Sequence, residues 1–300
     1  MKHIDIHNKE QVLERIRTRL AVTDAGYARQ VAAIRSYNRS GQDWRAAGVL
    51  IPLCYKKSVE DGRGGFVLQL IRRSSAVKQS GDISGPGGML SSRFDRILRL
   101  PLLLGVTPIL RRYAKAAAKQ KGKTELSIVS LFLANALRES WEEIGLNPLN
   151  VDFLGPLPCQ DLLMMTRTIF PVAGHVKREW KFRPNREVER VVEIPLADFF
   201  RKDSYGMYCV DNSFSGESPP FTTPCLIRRS HGDEEDILWG ATLRIIMDFL
   251  RIVFDFVPPE NGDGRVIRKI ISADYLTSNG KQGKGKPVPR ATSGTRERRS

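Results

Sequence analysis

Arg138-Glu139-Ser140-Trp141-Glu142-Glu143-Ile144-Gly145-Leu146 is the stretch that decides how this chain is read. Its glutamates fall at i, i+3 and i+4, so a helix here presents three carboxylates on one face within about one turn. Like charges that close repel by about 0.3 kcal/mol a pair on an exposed surface. A hard cation such as Mg2+ or Mn2+ reverses that penalty, because it takes oxygen ligands and needs several of them. Spacing alone reads first as a solvated acidic face. The surroundings shift the balance: Arg138 can pair with a carboxylate, Gly145 stops the helix, and a glycine cluster, Gly81-Asp82-Ile83-Ser84-Gly85-Pro86-Gly87-Gly88, lies upstream.

Working outward, Glu125 to Ile144 has the length and pattern of a long helix, with Thr124 as its N-cap. Before the glycine cluster, Ala47–Leu53 and Phe66–Ile71 are strand-like runs separated by glycines, which predicts a hairpin. Residues 9–36 carry helix-period apolar positions, Val12, Ile16 and Leu20, among charges. Beyond the carboxylate helix, short strands alternate with turns through 151–177, and Arg190–Ile194 is a further strand. Leu238 to Phe256 reads as an amphipathic to apolar helix. The plan is therefore a helical arm over 1–44, a catalytic-sized domain over 45–258, an extension over 259–277 and a disordered basic tail over 278–300.

Three hundred residues, 41% hydrophobic and 27% charged, suffice to bury a full core. Cys54, Cys159, Cys209 and Cys225 form no C-x-x-C pair and predict reduced thiols. With a polar amino terminus and no secretory signal, this predicts a cytoplasmic protein. The apolar run from Ile97 to Leu110 is interrupted by Arg99, Pro101 and Pro108, too short and broken for a membrane span. The net charge of +15 is concentrated. Residues 91–124 hold nine basic residues against Asp95, and 281–300 hold seven against Glu297, so the remainder is nearly neutral. The excess belongs to two segments and predicts contact with an anionic surface through 91–124 and 281–300.

The segment from Arg138 to Leu146 resembles the second half of the Nudix box, R-E-apolar-x-E-E-x-G-apolar, with Ser140 where an apolar residue is usual. Gly85-Pro86-Gly87-Gly88 resembles its opening glycines. The resemblance implies an α/β fold, an α/β/α sandwich with a mixed β-sheet flanked by the box helix and the Leu238–Phe256 helix. It also implies that Glu139, Glu142 and Glu143 are metal ligands or their acid-base support, and that water attacks a diphosphate. The spacing departs from the pattern: Gly88 and Arg138 stand fifty positions apart, with residues 91–124 read as an insertion. Ser130 occupies the position of the first box glutamate, whose family role is to pair with the arginine. Glu125 is too far before Arg138 to replace it.

Arg73-Ser74, Lys78, Gly81 and Pro86-Gly87-Gly88 resemble the signature of the coenzyme A pyrophosphatase branch. Lys78 replaces an arginine, which keeps charge but loses bidentate phosphate binding. Gly85 replaces a phenylalanine, which predicts a more flexible loop. Asn185-Arg186-Glu187-Val188 and Leu238-Trp239-Gly240-Ala241-Thr242 resemble two later segments of that branch. The branch implies Arg73, Lys78, Gly81, Gly87 and Gly88 as substrate contacts and Glu187 as a distal acid, a base or extra ligand. Trp239 reads as core or ring-lining and His175 as structural. Nothing supports a serine or cysteine nucleophile.

The implied activity is hydrolysis of coenzyme A or acyl-coenzyme A to (acyl-)4′-phosphopantetheine and 3′,5′-ADP, with Mg2+ or Mn2+ as cofactor. Two alternatives stand beside it. One is hydrolysis of another nucleoside diphosphate derivative. The other is a non-catalytic module that binds RNA or anionic membrane through its basic segments. The expected partner is a coenzyme A-like nucleotide; the sequence leaves self-association open.

Overall fold

A computed structural model describes residues 5–57, 64–91, 93–104, 108–110, 113, 122–162, 165–211, 220–229, 235–257, 259 and 264–270. The tail over 278–300 and much of 105–121 lie outside the described residues.

The amino-terminal region forms two helices, α1 (Lys9–Val22) and α2 (Tyr27–Arg39). Gly26 separates them in the left-handed region, at φ 73°, where a side chain would add strain. The hairpin is present as β1 (Arg45–Lys57) and β2 (Gly64–Arg73), antiparallel with Leu53 opposite Leu68. Two short strands follow, β3 (Ile83–Ser84) and β4 (Gly87–Met89), and then helix α3 (Phe94–Leu103) within the basic segment. The long helix is α4 (Lys123–Ile144). It starts earlier than expected, with Gly122 and not Thr124 at the N-cap, and Gly145 closes it in the left-handed conformation at φ 73°.

Past α4 come β5 (Val151–Pro156), β6 (Gln160–Leu162), β7 (Arg167–Val176) and β8 (Val188–Pro195). With β1 to β4 they make an eight-stranded sheet whose spine is β3-β2-β1-β7-β5. The sheet is mixed: β1 runs parallel to β7, Arg45 opposite Arg167, and antiparallel to β2 and β4. A second, four-stranded sheet, not anticipated from the sequence, is built from β9 (Tyr205–Asp211), β10 (Phe221–Arg229), β11 (Glu235–Trp239) and β12 (Val266–Ile270). The last helix is α5 (Gly240–Phe254), shorter at both ends than the Leu238–Phe256 expectation because Leu238 and Trp239 belong to β11.

Two apolar clusters cover the two faces of the large sheet, which gives the expected α/β/α layering. On one face Tyr27 and Ile34 of α2 and Val129, Phe132, Leu133 and Leu137 of α4 pack on Leu50 and Phe170. On the other, Val12, Ile16 and Leu20 of α1 and Ile246, Phe249 and Leu250 of α5 pack on Ile51, Leu53 and Leu68. Alternate residues of β1 thus serve opposite faces, the period of a strand covered on both sides. No described helix is long and apolar enough to cross a membrane. Among the described residues none of the four cysteines is joined in a disulfide.

Candidate active site

The site begins where α4 packs on β1, the central strand of the large sheet's spine. Gly48 of β1 lies so close to α4 that a Cβ there would strike the Asn135 side chain and the Phe132 carbonyl. Asn135 is fully buried and satisfies several groups at once. Its Oδ1 accepts from Gly48 N–H (2.7 Å), and its Nδ2 donates to the Met89 carbonyl (3.1 Å) and to Asp95 Oδ2 (3.1 Å). One amide therefore pins α4 to β1, β4 and α3, and a buried amide holds such a place only when its hydrogen bonds are made.

Arg138 lies one turn further along. Its Nε donates to Asp95 Oδ1 (2.8 Å), Nη2 to Glu139 Oε1 (2.6 Å) and Nη1 to Glu142 Oε2 (2.8 Å). Asp95 is fully buried. It also accepts from the Ser91 N–H at 2.6 Å, which fixes the start of α3. Burial alone would lower the Arg138 pKa, but the hydrogen bond to Asp95, the charges of Glu139 and Asp95 and the hydrogen bond to Glu142 outweigh it and raise it well above the ordinary value. Arg138 thus finds its buried acid in Asp95, within the basic segment, and not at position 130. Ser130 is buried and spends its hydroxyl on the Ser127 carbonyl, while Glu125 accepts from Ala28 N–H at the start of α2. Ser140 fits its buried position by donating to the Ala136 carbonyl at 2.6 Å, one turn back.

Glu143 is 5% exposed and accepts from Gly87 N–H through Oε2 at 2.9 Å. Burial is the main reason its pKa rises to about 8. The Gly87 bond and Arg73 pull it down, while Glu139 and Glu187 push it up. Glu139 is also raised, by burial first, against the pull of Arg138. Both glycines are dictated by close approach. A Cβ on Gly87 would run into the Gly48 carbonyl and the Val49 backbone, and one on Gly88 into the Glu139 carboxylate. Gly85, by contrast with the flexibility expected of it, is buried and has no room for a side chain between Leu50 and Val49. The Leu50 N–H bond to the Pro86 carbonyl (2.8 Å) holds that loop down.

The Glu187 segment is anchored to the end of the same helix. Asn185 N–H donates to the Glu143 carbonyl (2.8 Å) and Asn185 Nδ2 to the Glu142 carbonyl (3.2 Å), while Arg183 N–H meets the Ile144 carbonyl (3.0 Å). Carbonyls that the helix end leaves unpaired are thereby satisfied. The Glu187 carbonyl in turn accepts from Ser74 N–H at 2.9 Å, next to Arg73. The fold brings Glu139, Glu142, Glu143, Gly87, Gly88, Arg73 and Glu187 together.

Two predicted contacts sit apart. Lys78 is exposed and joins the site through its carbonyl, which accepts from Arg73 Nε at 2.9 Å. Gly81, at φ 78°, donates to the Arg73 carbonyl and borders a cleft of about 290 Å3 with Asp82, Trp239 and Lys269, not the glutamates. Trp239 lines that cleft and donates to Asp82 at 3.2 Å, so it is a lining residue. Sequence reasoning did not single out Asp95, Asn135, Asn185 or Arg167. Counting forward from Gly88 reaches Asp95 within two turns' worth of chain, a signal missed by counting back from Arg138. Arg167 is half-buried, its Nε has no hydrogen-bond partner among the described residues, and burial, then Arg73 and Arg45, lower its pKa.

Among the described residues no three His, Cys, Asp or Glu side chains are gathered as a ready metal cluster. Arg138 holds Glu139 and Glu142, and Gly87 holds Glu143. The donor chemistry nonetheless suits a hard cation. Three carboxylates share one helix face, and burial of two of them carries a charge cost that a divalent ion would offset.

No family model matches the chain. It is 28% identical over 251 residues to Nudix hydrolase 22, chloroplastic, of Arabidopsis thaliana, covering 80% of this chain and 64% of that protein. It is 36% identical over 100 residues to the uncharacterized Nudix hydrolase NudL of Pectobacterium atrosepticum, covering 32% of this chain and 50% of that one. The chain therefore spans between half and two thirds of the length of these relatives. Among solved structures it is similar to a Nudix hydrolase from Alicyclobacillus acidocaldarius, with TM-score 0.37 and 13% identity over 72% of this chain and 98% of that one. It is also similar to a C. elegans Ap4A hydrolase, with TM-score 0.31 and 10% identity over 51% and 82%. The sequence likeness of this chain is to Nudix hydrolases, over part of their length in each case.

Proposed function

We propose that this chain is a Nudix-type hydrolase that cleaves the diphosphate bond of coenzyme A or acyl-coenzyme A in the presence of Mg2+ or Mn2+. The products are (acyl-)4′-phosphopantetheine and 3′,5′-ADP. The observation that carries the reading is the buried Glu143 carboxylate, hydrogen-bonded to Gly87 and flanked by Glu139 against Gly88. A buried acid with its pKa moved toward neutrality, beside further acids and a glycine loop, is the kind of group that hydrolytic sites use.

Each group has a task. Asp95 positions Arg138, and Arg138 fixes Glu139 and Glu142 in one orientation. Glu139, Glu142 and Glu143 would hold the cation, which supplies charge neutralisation for the diphosphate and acidifies the attacking water. The Gly87 N–H sets the direction of the Glu143 carboxylate. Arg73, whose charge acts on Glu143, would meet the phosphate groups. Glu187, which shares that field from the opposite segment, accepts the proton of the water.

The substrate class rests on the resemblance of the Arg73–Gly88 stretch, and four cysteines without a disulfide suit a reducing compartment such as the cytoplasm. The test is a screen of coenzyme A, acyl-coenzyme A, NADH, ADP-ribose and dinucleoside polyphosphates with Mg2+ and with Mn2+. Release of 3′,5′-ADP from coenzyme A in preference to cleavage of the others is the expected result. Preference for ADP-ribose or a dinucleotide would replace the substrate and keep the hydrolase. Cleavage of none would overturn both.

A further inference from the structure

Helix α3 turns its apolar side chains outward. Phe94 is 68% exposed, Ile97 64%, Leu100 50% and Leu104, just past its end, 75%. Its buried positions are Asp95 and Leu102. At 3.6 residues per turn, Leu100, Leu104, Ile97, Phe94 and Leu98 fall within an arc of roughly 160°, whose centre is turned about 130° from the buried pair. Exposed apolar surface of this extent on one short helix marks a contact surface, since single exposed apolar residues are ordinary but a contiguous stripe is not.

The charge around the stripe selects the partner. Arg93 and Arg96 are exposed on α3, and the one acid of the helix, Asp95, is buried and committed to Arg138. Over 91–124 the sequence carries nine basic residues and one acidic one. A second copy of this chain would set that positive segment against itself. RNA would use the charge and leave the apolar stripe in water. An anionic lipid surface takes both, acyl chains meeting the stripe and headgroups the cations. Ten residues rise about 15 Å, half a hydrocarbon core, so the helix lies in the interface and does not span it.

We infer that α3 docks this protein on anionic phospholipid membranes, with Phe94, Ile97, Leu98, Leu100 and Leu104 entering the interface beneath a basic rim. The inference stands apart from the hydrolase reading. The two meet at Asp95, whose side of α3 faces the carboxylate helix while the opposite side faces lipid.

The experiment is co-sedimentation of the full chain with vesicles of phosphatidylcholine alone and with about 30% phosphatidylserine. The wild type should sediment with the phosphatidylserine vesicles and far less with phosphatidylcholine, and high salt should weaken it. Replacing Phe94, Ile97 and Leu104 together by Ser should lower partitioning at least about tenfold. Circular dichroism and the unfolding midpoint should not move, because these side chains are exposed. In a second variant, Ile97→Trp, indole emission should shift to the blue on adding phosphatidylserine vesicles. Four results would overturn the inference: no sedimentation of the wild type, equal binding by the triple variant, unshifted Ile97→Trp emission, or loss of a concentration-dependent dimer in the triple variant with no vesicle binding.

Discussion

Asp95 Oδ1 lies 2.8 Å from Arg138 Nε, joining residues 43 positions apart in the sequence. The pair closes a chain of contacts that runs from the start of α3 through Arg138 to Glu139 and Glu142. A segment as basic as 91–124 would be expected to disturb a site of three carboxylates. Here its one acid, buried at the α3–α4 contact, orients the arginine that holds two of them.

Removing that acid tests the connection. Asp95→Ala leaves Arg138 mostly buried with one partner fewer and should cost about 3 kcal/mol, read as a lower urea midpoint with an unchanged slope. Diphosphate hydrolysis should fall with it, because Arg138 then no longer fixes Glu139 and Glu142. A stability change under about 0.5 kcal/mol would show that the pair is incidental.

The two glycines beside the carboxylates should respond differently to the same substitution. At Gly87 an added methyl meets backbone, the Gly48 carbonyl and Val49. Gly87→Ala should therefore cost about 2 kcal/mol of stability. At Gly88 the methyl meets the far end of a side chain, the Glu139 carboxylate. Gly88→Ala should leave stability within about 1 kcal/mol and lower cation affinity and turnover. Thermal unfolding with Mg2+ titration by calorimetry separates the two; equal stability loss in both variants would contradict the close-approach argument.

Much of this site was legible before any coordinates. The i, i+3, i+4 glutamates, the helix stop at Gly145 and the β1–β2 hairpin follow from local periodicity, and the structure has all three. Asn135 and Asp95 were not legible, because their meaning lies in partners 40 or more positions away. Gly85 misled for a related reason. A glycine in sequence signals freedom, whereas this one is there because Leu50 and Val49 leave no space. In the second sheet β9, β10 and β11 pair with their sequence neighbours, and what local patterning could not show is the return of β12 to lie parallel to β9 across more than fifty residues.

Cation binding should carry a proton signature. Burial raises Glu143 to about 8 from an ordinary 4.5, so below about pH 8 the free protein holds a proton there. A ligand carboxylate must lose it, so Mg2+ binding should release protons, and affinity should rise with pH and level off above about 8. Calorimetry in buffers of different ionisation enthalpy measures the release. In the cation-free protein the sign for stability is opposite. The unfolded acid ionises above 4.5 while the folded one does not, so stability falls as pH rises from 4.5 toward 8. An affinity independent of pH between about 6 and 8 would remove Glu143 from the ligand set.

His175 should set the acid limit of the fold. It is 4% exposed, packs edge-on to Phe66, and neither ring nitrogen has a hydrogen-bond partner among the described residues. Burial, with Lys9 next, lowers its pKa from 6.5 to about 4. A depressed histidine leaves the folded state with fewer bound protons. Stability is full above 6.5 and is lost as pH falls toward 4, by about 2 kcal/mol between about pH 7.5 and pH 5. His175→Phe should flatten that part of the profile, as read by urea midpoints. A variant with the same acid sensitivity as the wild type would point to another group.

Hydrolysis of a diphosphate by the Glu139–Glu143 face is read most directly as product formation from coenzyme A with Mg2+ or Mn2+ by the wild type and by Glu142→Gln combined with Glu143→Gln. Cation-dependent appearance of 3′,5′-ADP and 4′-phosphopantetheine is expected with the wild type and its loss in the double variant, with the fold retained by circular dichroism. Undiminished cation-dependent hydrolysis by the double variant would contradict it.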